Sequence, residues 1–339
     1  MRIAIHHRPN SCSEHWIEYC QKHNIQYKIV NAYSNDIIEQ VADCDIFMWY
    51  HSLNQYKDYL FAKQLLYIIG VKMGKITYPD FNTCWHYDDK IGQKYLLESI
   101  GAPTIPTHIF YQRKNALEWI KKTTYPKVFK LRSGASSKNV HFVKNARQAK
   151  KLVNKAFSFG FQRNSHFIRI RKRWIQIFRG NCTLKWFLKG IITPYSYNDR
   201  FEKKEIGYVY FQDYLPNNDF DIRVFVVGNK AFAIKRMNRE NDFRASGSGI
   251  LIYDKREIDE TCIKIAFDTS RKLRMQSVAF DFLRDTNGRW AITEISYRRD
   301  NKHNGILGYW TDDLQWHNCN NINVYDWLIE NVIDKANSK

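Results

Sequence analysis

Two acidic residues on neighbouring predicted strands are the first place in this sequence where chemistry can sit. The segments VAFDFLRD (278–285) and RWAITEIS (289–296) are joined by Thr286-Asn287-Gly288, a turn composition that suits a hairpin. Side chains alternate across a strand, so Ala279, Asp281 and Leu283 share one face, and Ile292, Glu294 and Ser296 share one face of the partner. Asp281 and Glu294 can then face each other. Two carboxylates among Phe280, Phe282, Ile292 and Ile295 are costly to bury and repel one another unless a cation lies between them. A hard divalent ion with oxygen ligands, most simply Mg²⁺, meets that need. In the competing arrangement one carboxylate points to solvent or pairs with Arg284 or Arg289.

Two further segments carry charge in a pattern that suits anions. In YPKVFKLRSGASSKN (125–139) a strand bearing Lys130 runs into a loop rich in Gly and Ser. Backbone N–H groups from Gly134 through Ser136 and Ser137 to Lys138 can cradle phosphate while Lys130 supplies a point charge. The segment lacks the G-x-x-x-x-G-K-[ST] pattern, and an ordinary hairpin turn has the same composition. In DFDIRVFVVGNKAFAIKRMNRENDFRASGSG (219–249), Arg223, Lys235, Arg236, Arg239 and Arg244 fall close together. Guanidinium groups at that density recognise phosphate or carboxylate bidentately, and a solvated basic hairpin is the alternative.

The elements that must position these groups follow from hydrophobic spacing. Over the first ~80 residues, strands at Arg2 to His6, Tyr27 to Val30, Ile46 to Tyr50 and Lys75 to Tyr78 alternate with helices at Cys12 to His23, near Ile37 to Val41, and at Tyr56 to Gly70. That rhythm predicts β-α-β units and a parallel sheet. Asp88 is a candidate N-cap for the helix that begins near Lys90, which Gly101 ends, while Pro103 and Pro106 force extended chain. A small α+β unit follows, with strands at Thr107 to Tyr111 and Lys127 to Leu131 and a helix at Asn115 to Lys122. The last third is strand-rich, interrupted by a helix over Glu260 to Leu273. Between them, RIRKRWIQIFRGNCTLKWFLKG, within 167–190, is basic and aromatic; it reads as a core face with solvated charges or as an amphipathic membrane-surface helix.

Composition limits the functional classes. With 339 residues, 44% hydrophobic and 26% charged, the chain suits two or three packed domains. It lacks the run of ~20 apolar residues that a membrane span needs, and its N-terminus is too quickly polar for a secretory signal, so a cytoplasmic protein is expected. Seven cysteines stand singly without a C-x-x-C pair, which suggests reduced thiols rather than a disulfide framework or zinc ribbon. The net charge of +19 attracts polyanions or anionic substrates without choosing among them.

Taken in order, DDKIGQKYLLESIGAPTIPT, YPKVFKLRSGASSKNV, VYFQDYLPNNDFDIRVFVVGNKAFAIKRMNRENDFR and VAFDFLRDTNGRWAITEISY resemble the ATP-grasp superfamily. The resemblance covers roughly residues 86 to 297 and is strongest to the branch of ribosomal-protein glutamate ligases and their relatives in polysaccharide gene clusters. It implies an α/β and α+β architecture, the ATP-grasp fold behind an N-terminal parallel-sheet domain. The expected division is 1–85, then 86–215 with the Gly/Ser phosphate loop, then 216–339 with the metal site and acceptor tail.

It also implies roles for individual residues, with ATP and Mg²⁺ as cofactors. Lys90 and Lys130 would contact the ATP phosphates, with the 134–138 loop closing over them. Gln212, Asp213, Tyr214 and Leu215 would receive the adenine. Asp221 would lie near the nucleotide, and Arg223 and Arg236 would hold the transferred phosphoryl or the acceptor carboxylate. Asp281 and Glu294 match the metal-binding acids. Ser296 stands where the family commonly has a ligating Asn. The tail GILGYWTDDLQWHNCN (305–320) is similar to the sugar-cluster branch, and Tyr309, Trp310, Asp312, Trp316 and His317 would line an acceptor pocket, unless they only pack the C-terminal extension. Arg244 and Arg298 are further substrate candidates.

The resemblance implies a ligase that makes an amide through an acyl phosphate. Its substrates would be a small-molecule or saccharide carboxylate and an amine, with no nucleic-acid partner and a homodimer as the commonest assembly. Two alternatives stand beside it: an ATP-grasp kinase that phosphorylates a hydroxyl, and a non-enzymatic basic module that binds nucleic acid or an anionic membrane.

Overall fold

The computed structural model describes residues 1–52, 55–134, 140–162, 204–239, 247–298, 305–319 and 322–338. They fall into two compact units: Met1–Ser52, Lys57–Pro106 and Leu215–Lys339 in the first, Leu53–Tyr56 and Thr107–Tyr214 in the second.

Four short apolar strands open the first unit: β1 (Arg2–His6), β2 (Gln26–Val30), β3 (Ile46–Met48) and β4 (Ile76–Tyr78). They pair in parallel in the order β2-β1-β3-β4. Helices α1 (Cys12–Lys22), α2 (Ile37–Ala42) and α3 (Tyr56–Tyr67) follow successive strands, as the alternation predicts. Ser11 caps α1 by accepting from the Ser13 N–H. Cys12, Trp16 and Cys20, spaced by four, form the helix's buried stripe.

After the short helix α4 (Phe81–Cys84) comes α5 (Lys90–Ser99). Its cap is Asp89 rather than Asp88. Asp89 accepts from the Gly92 N–H at 3.0 Å, while Asp88 takes a left-handed conformation (φ 54°) that turns the chain into the helix. Gly101 (φ 64°) ends α5 as its type predicts, with its N–H on the Glu98 carbonyl.

The second unit holds an antiparallel sheet of β5 (Thr107–Phe110), β6 (Lys127–Lys130), β7 (His141–Val143) and β8 (Val209–Asp213), in the order β5-β8-β6-β7. Helices α6 (Arg113–Lys122) and α7 (Ala146–Ala156) bury Ala116, Ile120, Ala149 and Val153 against Phe129 and Phe211 of that sheet.

The chain then returns to the first unit and builds a seven-stranded sheet from β9 (Phe220–Val227), β10 (Lys230–Asn238), β11 (Gly247–Ile252), β12 (Ser277–Arg284), β13 (Trp290–Ser296), β14 (Gly308–Thr311) and β15 (Trp316–Asn318). Its order is β13-β12-β9-β10-β14-β15, with β11 on β10. One face packs Val224, Val226, Val278 and Phe280 on α8 (Glu260–Leu273), and the other packs Phe225, Phe232 and Ala279 with Leu328 and Ile329 of α9 (Val324–Asn337). Burial on both faces explains the near-continuous apolar run in β9. Asp221 and Arg223 of β9, Arg236 of β10 and Asp281 of β12 lie together in the sheet, where the site is built.

Residues 86–106 group with the first unit, whereas the sequence division put them with 107–215. The reason is local: Leu97 lies in the same core as Val224, and the Gln93 side chain donates to the Ile295 carbonyl at 2.8 Å. The basic segment 167–190 lies outside the described residues. No described helix is long and apolar enough to cross a membrane.

Candidate active site

Residue 281 has a neighbour on each side because β12 lies between β9 and β13. Asp281 is in register with Arg223 on one side and with Glu294 on the other. One strand further, Arg236 of β10 stands opposite Asp221 of β9. The side chains lock accordingly. Arg223 forks onto Asp281, Nε to Oδ1 at 2.6 Å and Nη2 to Oδ2 at 2.8 Å. Arg236 forks onto Asp221, with Nε to Oδ1 at 2.7 Å and Nη2 on Oδ2, and the same Nη2 lies 3.1 Å from Asp281 Oδ1. Two acids and two arginines thus form a formally neutral lattice in which Asp281 is shared.

Burial opposes ionisation of Asp281, but Arg223 and Arg236 outweigh it and hold this carboxyl well below the usual range. Asp221 is buried more deeply; burial, with repulsion from Asp281, pushes its carboxyl up in spite of Arg236. Both guanidinium groups stay charged, since the acids more than offset their burial.

Glu294 meets Asp281 in register, as the alternation predicts, yet its ion-pair partner is Lys90, with Nζ to Oε1 at 3.1 Å. Lys90 is the first residue of α5 and nearly buried, so the Asp89 cap helps to fix where it points. A bulge at Thr293 lets Glu294 keep its place opposite Asp281 while Ile292 pairs with Phe282, and Thr293 Oγ1 donates to the Asp281 carbonyl at 3.1 Å. Ser296 lies two residues on, and its hydroxyl donates to the Arg298 carbonyl at 3.3 Å. Arg284 and Arg289, the competing partners in the sequence, pair instead with Asp259 and Asp285.

The second unit brings together another part of the predicted set. Lys130 Nζ donates to Gln212 Oε1 at 2.7 Å, and Gln212 donates to Thr107 Oγ1 at 3.1 Å. Asp213 receives Lys127 Nζ at 2.6 Å. Tyr214 stands edge-on to Phe142. Gly134, where the phosphate-type loop begins, has φ 133°, a conformation that favours glycine. Ser136 and Ser137 lie outside the described residues, as does Arg244. Leu215 belongs to the first unit, in a cavity of about 320 Å³ with Pro103, Pro106 and Trp290.

Among the tail candidates, Trp310 is 1% exposed and packs edge-on to Trp316 at 4.4 Å, so it is core. Tyr309 stacks on His317 at 5.1 Å and meets Trp327 edge-on. Asp312 lies near Arg271 on the surface. Arg298 lies over the Tyr50 ring at 4.6 Å. Beside it His51, fully buried, accepts or donates at Nδ1 to the Tyr297 hydroxyl at 3.1 Å.

Sequence reasoning did not single out the buried Lys127 and His51. Lys127 was legible in principle: it precedes Phe129 by two on one strand and so points inward by alternation. His51 carries no local signal.

Residues 202–299, which contain β8 to β13 and the whole acid–arginine lattice, match the family model of the RimK-like ATP-grasp domain. Solved structures align over nearly the full length. D-alanine–D-alanine ligase from Bacillus anthracis is 14% identical, with a TM-score of 0.57 over 100% of this chain and 98% of that one. The chain has the ATP-grasp fold. A RimK domain ATP-grasp protein from Sphaerobacter thermophilus aligns at 12% identity with a TM-score of 0.51, covering 87% of this chain and 90% of that one. So does the biotin carboxylase domain of 2-oxoglutarate carboxylase from Hydrogenobacter thermophilus, solved with MgADP and bicarbonate, at 12% identity and TM-score 0.57 over 98% of this chain and 69% of that one. No curated protein matches in sequence. The expected ATP-grasp architecture is therefore present, with its parallel N-terminal sheet.

Proposed function

We propose that the chain is a Mg-ATP-dependent ligase that activates a carboxylate as an acyl phosphate and couples it to an amine. The observation that carries the reading is the in-register pair Asp281 and Glu294, ringed by Arg223, Arg236 and Lys90 within the matched ATP-grasp segment. An all-oxygen set of two carboxylates and the Ser296 hydroxyl fits Mg²⁺, which keeps several waters and binds through one or two carboxylates plus substrate phosphates. Bound there, the ion would offset charge on those phosphates. Lys130, Gln212, Asp213 and Tyr214 are the second unit's candidates for the nucleotide, and the ligands solved with similar ATP-grasp proteins support ATP as that nucleotide.

The chain's own groups define the rest of the chemistry. A substrate carboxylate oxygen attacks the γ-phosphorus and ADP leaves; the amine nitrogen then attacks the acyl carbon, phosphate leaves and the nitrogen loses a proton. Arg223 and Arg236, whose planar forks are held by Asp281 and Asp221, are the candidates to hold the transferred phosphoryl or the acceptor carboxylate. Lys90, paired with Glu294 in the free protein, would be available to a phosphate of the nucleotide. The positive charge and the likeness of the tail to the sugar-cluster branch support an acidic sugar or polysaccharide precursor as carboxylate and an amino acid or other amine as partner. A requirement for ATP supports a cytoplasmic location.

The test is ADP formation by wild-type and Glu294→Ala protein with Mg²⁺, hydroxylamine and a panel of uronic acids and amino acids. Mg-dependent ADP with hydroxamate, lost in the variant, supports the ligase and names the carboxylate. ADP without hydroxamate would indicate phosphorylation of a hydroxyl. Absence of ATP binding in calorimetry would overturn the reading.

A further inference from the structure

The net charge of this chain is not spread over it. Residues 107–214 carry 24 Lys and Arg against five acids, a balance of +19, while the rest of the chain carries 29 of each and is neutral. The second unit therefore holds the whole excess. Its described outer surface is basic in detail. Helix α7 buries Ala149, Val153 and Ala156 and exposes Arg147, Lys150, Lys151 and Lys155, with no acid along its length. Beside it, α6 exposes Lys114, Lys121 and Lys122, and the two helices are tied by Arg113 on Asn154 at 2.9 Å. Among the described residues none of the α7 cations and none of these three lysines has an ion-pairing carboxylate. These seven like charges share their helix layer with one exposed acid, Glu118 of α6, and the excess repels itself.

Apolar side chains adjoin that face. Phe159, just past α7, is 79% exposed, and Ile206 is 50% exposed. Gly160, next to Phe159 in the chain, lies against Ile206, since a side chain on it would meet the Ile206 Cβ at 3.0 Å.

We infer that the outer face of α6 and α7, with Phe159 and Ile206, docks the protein on an anionic lipid surface. Lysine predominates over arginine here, which suits diffuse attraction to a charged plane better than bidentate recognition of individual phosphates. An aliphatic and an aromatic side chain beside the cations suit the boundary between headgroups and acyl chains, whereas isoleucine offers nothing to stack on a base. None of these residues belongs to the proposed active site, so the inference stands apart from the ligase reading.

Co-sedimentation of the full chain with vesicles tests it, using phosphatidylcholine alone and phosphatidylcholine containing a third phosphatidylglycerol. Binding only to the anionic vesicles, weakening as salt rises, is expected. Lys150→Glu with Lys151→Glu, and separately Lys121→Glu with Lys122→Glu, should each weaken it by at least about tenfold, from ~1 kcal/mol per lysine near such a surface. Phe159→Ser should weaken it while leaving the salt dependence unchanged. Equal binding to both vesicle types, variants that bind like wild type, or duplex or single-stranded nucleic acid that binds more tightly at the same salt would each overturn the inference.

Discussion

Breaking the Asp281–Arg223 pair from either side should destabilise the protein far more than removing both partners. The two side chains exchange two short charge-assisted bonds and are mostly buried, with Asp281 15% and Arg223 24% exposed. Asp281→Leu strands a buried guanidinium, and Arg223→Met leaves Asp281 with Arg236 alone. Stranding one member of a buried pair costs about 3–5 kcal/mol, and the residual exposure puts each single variant near the lower end, at about 3 kcal/mol. In the double variant Leu and Met fill the volume, while Asp221 and Arg236 keep their own fork; stability should return to within about 1 kcal/mol of wild type. The coupling is then several kcal/mol. Urea unfolding followed by fluorescence reads it: with a slope of about 3 kcal/mol per molar, each single variant shifts the midpoint by about 1 M. Additive losses in the double variant, or single variants within about 0.5 kcal/mol of wild type, would refute the view that these charges matter to each other rather than to the fold separately.

Three other outcomes follow from the structure. His51 and His86 are fully buried and held neutral, their pKa pushed down to about 3 by burial and then by nearby cations, against ~6.5 in the unfolded chain. The unfolded chain binds more protons between those values, so stability falls as pH drops below ~6.5, by about 2 kcal/mol per histidine between pH 7 and 5. A His86→Phe variant whose urea midpoint has the same pH dependence as wild type would contradict this. Gly308→Ala should cost about 1–3 kcal/mol, because its Cβ would fall 2.3 Å from the His317 carbonyl and 2.4 Å from the Trp316 ring; an unchanged melting temperature would count against the described β14–β15 hairpin. Asp89→Ala should cost about 1 kcal/mol, with Asp89→Ser recovering most of it, and equal stability of all three proteins would remove Asp89 as the cap of α5.

What the sequence disclosed is what local periodicity encodes. The β-α-β rhythm, the pairing of Asp281 with Glu294 and the end of α5 at Gly101 depend on residues within a few positions or one hairpin. Partners brought by distant strands were illegible. Arg284 and Arg289 were close to the acids in sequence, yet Arg223, on a strand 58 residues earlier, takes Asp281 because β9 lies beside β12. The same limit hid the pairing of Lys90 with Glu294 and the membership of α5 in the first unit. Trp310 illustrates the converse. Its type suggested a stacking platform, but β14 lies against β10 in the sheet, and the indole is drawn into the core.

The 107–214 segment of the second unit begins and ends at nearly one point. Thr107, its first residue after Pro106, pairs with Gln212 near its end, and Pro106 and Leu215 line a common cavity. A segment of 108 residues thus leaves the chain and returns to where it started. Closing the gap with a few glycines would add little loop entropy to what remains. The excursion is built as an insertion whose ends meet, and none of Asp221, Arg223, Arg236 and Asp281 lies within it.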